Sequence, residues 1–199
     1  MEEVYLVAYA LFVGIWFYAP AYSANAMASI IGKILTVKGW NKPVDLNKKW
    51  RDGRPILGPG KTWGGLIGGT LFGGIAGAIE FILYPFLIND VQSWMEPLLL
   101  VRRPELLIFR GFLLGLGALT GDIIKSFFKR RAGKQWGEFW FPFDQIDFIL
   151  GSTLFALPFI WPLTIEIVGI FLIFVFISIP VHIIADKVAF KLKIKNYSH

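Results

Sequence analysis

"GPGKTWGG" (residues 58–65) runs directly into "LIGGTLFGGIAGAIEFILYPFLI" (residues 66–88), and the junction decides what kind of protein this is. Gly60, Lys61 and Thr62 spell the end of the phosphate-binding pattern G-x-x-x-x-G-K-[ST]. Its first glycine would fall at position 55, which is Pro55. The pattern also needs a strand before it and a soluble helix after it. Here it leads instead into an apolar run long enough to cross a bilayer, for which about 20 mainly apolar residues suffice. A phosphate-binding signature therefore opens a transmembrane helix.

The rest of the 199-residue chain has the same character. Hydrophobic residues make up 55% of it and charged residues 17%, with a mean hydropathy of +0.59; soluble domains average about 45–50% and about 25%. The apolar residues gather in runs. The first covers residues 5–31, interrupted by Pro20; the second and third cover 63–88 and 106–128. From 148 to 190 the chain is too apolar and too long for one span, and "WPLTIE" (161–166) divides it, because Pro162 cannot continue a helix interior. The expected fold is an all-α polytopic membrane protein. It is a single integral domain (1–199) with five transmembrane helices over about 5–31, 63–88, 106–128, 145–163 and 165–188, and inner loops 33–62 and 129–144.

Charge orients this arrangement. Lys33, Lys38, Lys42, Lys48, Lys49, Arg51, Arg54 and Lys61 crowd the first inner loop. Lys129, Arg130, Arg131 and Lys134 crowd the second, and Lys187, Lys191, Lys193 and Lys195 the tail. The opposite face has Arg102, Arg103 and the nearby Arg110. Lysine and arginine accumulate in cytoplasmic loops. The N-terminus is therefore expected outside and the C-terminus in the cytoplasm. The net charge of +6 is mostly this asymmetry and needs no nucleic-acid partner. Cysteine is absent, which excludes disulfides and thiolate metal sites, and the two histidines, His182 and His199, are too few for a histidine zinc site. Glu2 and Glu3 stand where a signal peptide would carry basic residues, so the first run is expected to be a retained span.

The chemistry lies in the inner loops. Basic residues beside a membrane can simply set topology and attract anionic headgroups. The end of the first loop offers more. Gly58, Pro59 and Gly60 bend the chain, and Lys61 and Thr62 come next, at the start of a helix. Unpaired N–H groups and the positive end of the helix dipole suit phosphate there; a loop closed by a threonine cap is the alternative. The glycines of the second span fall in small-x-x-x-small spacings such as Gly65–Gly69 and Gly73–Gly77, which serve close helix packing and can also serve a homodimer.

The second segment is "GDIIKSFFKRRAGKQWGEFWFPFDQID" (121–147). Asp122 sits inside the third span, roughly 10 Å below its basic end, with Lys125, Ser126 and Lys129 on the same helical face. A carboxylate at membrane depth is costly unless paired or hydrated and marks a functional site by default; an internal Asp122–Lys125 pair is the alternative. Asp144 and Asp147, spaced i and i+3, open the fourth span on the same inner face. They are either helix-start caps or ligands. Three aspartates without histidine or cysteine point to a hard cation, and Mg²⁺ commonly bridges carboxylates to substrate phosphates.

These segments resemble the phosphatidate cytidylyltransferase superfamily, which makes CDP-activated lipids. "GDIIKSFFKRRAG" (121–133) looks like its G-D-x-x-x-S-x-x-K-R run, "DQID" (144–147) like its closing D-R-x-D, and "GPGKTWGGLIGG" (58–69) like its P-x-K-T-W-x-G element. "FPFDQID" lacks the P-G-H-G-G stretch of the bacterial and eukaryotic members. The compact chain, with "PAYSANA" (20–26) and "PVD" (43–45), is similar to the archaeal branch. The resemblance implies that CTP and a lipid phosphate, in the archaeal branch 2,3-di-O-geranylgeranylglycerol 1-phosphate, give a CDP-lipid and pyrophosphate with Mg²⁺. It implies that Asp122 and Asp144 hold the metal, with Asp147 a third ligand or support. Lys129 and Arg130 would neutralise phosphates, and Lys61 would hold them with the backbone near Gly58, Gly60 and Thr62. Lys125 and Arg51 complete the phosphate-facing set. Asn25 is a candidate polar contact or an inter-helix hydrogen bond. The site is expected on the cytoplasmic side of the cell membrane. Two rivals stand beside this reading: a CTP-dependent polyprenol kinase and a non-enzymatic transporter or scaffold.

Overall fold

Apolar runs separated by Gly/Pro-rich and basic loops become helices in the computed structural model, which describes residues 2–87, 96–99 and 103–191. The helices are α1 (Glu2–Val37), α2 (Trp63–Leu87), a single turn α3 (Glu96–Leu99), α4 (Leu106–Arg131), α5 (Phe143–Ile160) and α6 (Ile165–Lys191). Ile88, Arg102, Lys193, Lys195 and His199, used in the span and charge readings, lie outside the described residues. Within α2, α4, α5 and α6 the segments Trp63–Phe86, Leu106–Arg131, Phe143–Ile160 and Ile165–Ala185 are long and apolar enough to cross a bilayer. α1, the fifth long helix, is roughly 54 Å long at 1.5 Å per residue, well beyond a hydrocarbon core of about 30 Å.

Pro20 does not interrupt α1, as the sequence reading had it; the helix runs through it without a break. Proline inside a membrane helix is tolerated where neighbouring groups satisfy the freed backbone, and Pro85, Pro158 and Pro180 likewise sit inside helices. Trp161–Pro162 does end one helix: α5 stops at Ile160 and α6 restarts at Ile165.

α4 is the centre of the bundle, packed on α1, α2 and α5, while α1 also lies along α2. Small residues allow this closeness. A methyl at Gly73 of α2 would lie 2.7 Å from the Gly111 carbonyl oxygen of α4, and one at Gly69 would lie 2.6 Å from that of Ala24 in α1. The small-residue spacings of α2 are thus used within the chain, which removes them as a reason to expect a second copy. On the opposite face of α4, a methyl at Gly117 would lie 2.6 Å from the Gly151 carbonyl oxygen of α5. Gly117→Val is therefore expected to force α4 and α5 apart, costing about 1–3 kcal/mol by overpacking. A lowered melting temperature in detergent is the readout; an unchanged one would show that the helices separate at no cost.

The apolar core joins Val13, Phe17, Tyr18 and Ala21 of α1 to Leu114 and Ala118 of α4, Phe148 and Ile149 of α5 and Phe174 of α6. Tyr18 stacks on Phe174 at 5.5 Å, and its hydroxyl shares a 2.7 Å hydrogen bond with that of Thr153. Arg110 corrects the sequence reading. It is not one of the exterior charges but is fully buried, paired with Glu80 of α2 and lying 5.1 Å over the Phe17 ring.

Candidate active site

The loop before α2 is held from both ends. Asn41 Nδ2 donates to the Gly32 carbonyl (3.0 Å), and Asn41 Oδ1 accepts from the Gly64 amide (2.9 Å), so one side chain ties the end of α1 to the start of α2. Thr62 Oγ1 accepts from the Gly65 amide at 3.2 Å, making the threonine a cap of α2. Asp45 is buried in the loop. Its Oδ2 accepts from the amides of Leu57 (2.9 Å) and Gly58 (3.2 Å), and its Oδ1 from that of Asn47 (3.0 Å). Gly58 stands at φ +109°, a conformation open to glycine and strained for other residues. The Val44 amide donates to the Lys61 carbonyl at 2.8 Å. Together these bonds aim the Lys61 side chain into the bundle, where its ammonium pairs with Asp122 of α4.

The α4–α5 contact supplies the other half. Gly121, just before Asp122, lies against the Asp147 carbonyl, and Gly151 lies against Gly117 and Gly121. That approach brings the first turn of α5 beside Asp122. Lys125 Nζ then stands 3.1 Å from Asp122 Oδ1, 2.8 Å from Asp144 Oδ1 and 3.1 Å from Asp147 Oδ2. Lys129 Nζ bridges both Asp144 oxygens at 2.9 and 2.6 Å. The Trp140 amide donates to Asp144 Oδ2 (2.7 Å) and the Phe148 amide to Asp147 Oδ1 (2.8 Å). Three carboxylates and three ammoniums thus interlock in one network of ion pairs. Such buried groups must be paired, since an uncompensated charge in a low dielectric is costly.

Beside the cluster, between α1, α2 and α4, an open cavity is lined by Asn25, Ser29, Gly60, Lys61, Thr62 and Asp122. Asn25, half-buried, faces that space. Arg130 is buried and donates to the Lys134 carbonyl at 2.7 Å. Arg51 stays on the exposed tip of the first loop and takes no part in the cluster's ion pairs among the described residues. Among those residues no group of three or more Asp, Glu, His or Cys is spaced to hold a metal ion. The oxygen-only donor set nonetheless has the chemistry of a Mg²⁺ site, and the space its carboxylates share is filled by the Lys125 ammonium.

Sequence reasoning missed the residues that join the loop before α2 to the end of α4 and the loop that follows it. Arg54 Nη1 donates to the Arg131 carbonyl (2.9 Å) at the end of α4, and Arg131 Nε pairs with Asp52 (3.0 Å). The Trp50 and Phe127 rings meet edge to face at 5.3 Å. Trp136, from the second loop, lies over Gly60, where a methyl would come within 2.9 Å of its Nε1. In that loop exposed Glu138 accepts from the Gln135 amide at 2.8 Å, and its hydrogen bond from Lys134 holds its carboxyl below the usual range.

The family model for CDP-archaeol synthase (CarS-like) matches residues 7–199. The chain belongs to the CDP-archaeol synthase family. A CDP-archaeol synthase of Pyrococcus abyssi is 34% identical over 186 residues, covering 94% of this chain and 96% of that protein. That of Methanocaldococcus jannaschii shows the same identity and coverage. A solved structure of an intramembrane enzyme for archaeal membrane lipid biosynthesis superimposes with a TM-score of 0.64 at 29% identity, over 86% of this chain and 90% of that one. The three segments that carried the superfamily resemblance all lie inside the region matched by the CDP-archaeol synthase model.

Proposed function

We propose that this chain transfers CMP from CTP to a membrane lipid phosphate, releasing pyrophosphate and leaving a CDP-lipid. The observation that carries the reading is the meeting of Lys61 with Asp122, and of Asp144 and Asp147 with Lys125, at one end of α2, α4 and α5 in a member of the CDP-archaeol synthase family. An oxygen of the lipid phosphate attacks the α-phosphorus of CTP as pyrophosphate leaves. For such a reaction the protein supplies mainly position and charge neutralisation. Lys61 and the backbone at Gly60 and Thr62 bind phosphate at the start of α2; Gly58, grouped with them from the sequence, instead donates its amide to Asp45 and shapes the bend. Lys129, Lys125 and Arg130 neutralise charge from α4, and Asn25 contacts a substrate from α1. Asp122, Asp144 and Asp147 would hold Mg²⁺, which when bound offsets the triphosphate charge.

The lipid is the unsaturated diether phosphate expected from the resemblance. Basic residues on both inner loops support a cytoplasmic site, an outside N-terminus and an inside C-terminus. This arrangement explains why a phosphate-binding element opens a membrane helix: the nucleotide arrives from water and the lipid phosphate from the bilayer surface. The test uses the purified chain in detergent with CTP, Mg²⁺ and the digeranylgeranyl diether phosphate. Pyrophosphate with a CMP-containing lipid, identified by mass, is expected. CDP with a newly phosphorylated polyprenol would move the assignment to a kinase. No turnover and no stabilisation by CTP would leave a transporter or scaffold, since a ligand selective for the native state raises its stability.

Asp45 supplies a second prediction. It holds the Leu57 and Gly58 amides without reaching the acidic cluster. Asp45→Ala leaves buried donors unpaired, a cost of roughly 1–3 kcal/mol on the loop. KM for CTP is expected to rise several-fold, with Asp45→Asn losing less. Equal kinetics in wild type and Asp45→Ala would show that the loop forms without this anchor.

A further inference from the structure

The three aspartates converge on a side chain of the protein's own. Lys125 Nζ contacts one oxygen of each, and the lysine is nearly enclosed, with 13% of its side chain exposed. It falls on the third unspecified position of the superfamily's G-D-x-x-x-S run, so that pattern does not assign it. Lys61 and Lys129 hold the outer oxygens of Asp122 and Asp144. Each of the three carboxylates is therefore already paired with an ammonium of the protein before any substrate arrives.

We propose that the Lys125 ammonium is a tethered counter-ion occupying the shared centre of the carboxylates, so that free divalent metal does not load the site and metal enters together with the triphosphate. The proposal rests on the cytidylyltransferase reading. A divalent ion entering alone would push the ammonium off its three carboxylates and towards the like-charged Lys61 and Lys129. An unpaired buried cation costs several kcal/mol, and Mg²⁺ itself dehydrates reluctantly. A triphosphate removes both obstacles, because it delivers the metal already ligated and offers oxygens to the displaced ammonium. The four-carbon stem of lysine, with its rotatable bonds, permits the exchange of partners. Lys125 thereby couples metal to nucleotide, moving from aspartates to phosphate oxygens as the three carboxylates become free.

The test is Mn²⁺ binding to the full chain in detergent without nucleotide, read by the loss of the free-ion electron paramagnetic signal. Wild type is expected to bind weakly, Lys125→Arg, which keeps a cation, equally weakly, and Lys125→Met at least about tenfold more tightly, a difference of roughly 1.4 kcal/mol. Wild type binding Mn²⁺ as tightly as Lys125→Met would overturn the proposal, as would Lys125→Met binding no better than wild type. Should Lys125→Met fail to fold, wild type decides alone. Tight stoichiometric Mn²⁺ binding without CTP overturns the proposal; retention of Mn²⁺ only when CTP is present supports it. Absence of pyrophosphate release in the CTP and diether phosphate assay would instead sink the functional reading, and the nucleotide-free titration would still report on Lys125.

Discussion

Asp122→Asn is expected to leave a folded protein that transfers CMP at least about a hundredfold more slowly, the order of loss found when one preorganised electrostatic group is removed from an active site. Both Asp122 oxygens are engaged, Oδ2 by Lys61 and Oδ1 by Lys125, so the residue joins the loop before α2 to the α4–α5 pair. Asparagine keeps the shape but removes the charge, and its NH₂ group would face an ammonium, donor against donor. One change thus weakens a proposed metal ligand and frees the lysine proposed to bind phosphate. Pyrophosphate release measures the loss, and gel filtration with thermal unfolding checks the fold. Activity within a few-fold of wild type in folded Asp122→Asn would refute the role given to the carboxylate. A protein that no longer folds would show instead that the pairs with Lys61 and Lys125 are primarily structural.

How much of this was legible in the sequence depends on the distance over which each contact acts. The helices come from local composition, and Asp122, Asp144 and Asp147 stand out because carboxylates are rare in apolar runs. The Asp122–Lys125 pair, three residues apart on one helix, is readable as spacing. That Lys125 also reaches Asp144 and Asp147 is not, because it depends on Gly117, Gly121 and Gly151 letting α4 and α5 touch. Asp45 stood out only as part of "PVD"; its role needs the loop to fold back so that residues twelve and thirteen positions on donate to it. Pro20 interrupts the first apolar run as written but not the helix, because the rule against proline in helices is strict for isolated helices and looser in a packed membrane bundle. Arg110 was assigned to the exterior by its closeness to Arg103. The signal that corrects it was Glu80, a lone carboxylate inside the second apolar run, but nothing local relates two residues on different helices.

That pair gives the largest expected effect on stability. Arg110 donates to the Leu98 carbonyl and to Glu80 and is fully buried. Arg110→Ala leaves the Glu80 carboxylate enclosed without a counter-charge, at a cost of roughly 3–5 kcal/mol. It should lower the melting temperature more than Gly117→Val, Asp45→Ala or Asp122→Asn. An apolar replacement of both partners, Arg110→Met with Glu80→Leu, should recover most of that loss, because a buried ion pair adds little over well-packed apolar groups although breaking it is severe. If the double variant is as unstable as the single one, the bond to Leu98 and the contact with Phe17 matter more than charge balance. Catalysis distinguishes this site from the acidic cluster. Arg110 precedes Asp122 by twelve residues, roughly 18 Å along α4, so kcat per folded molecule should stay near wild type while the folded fraction falls. A kcat that drops with the melting temperature held constant would mean that the two ends of α4 are coupled, with the Arg110–Glu80 pair setting where Asp122 stands.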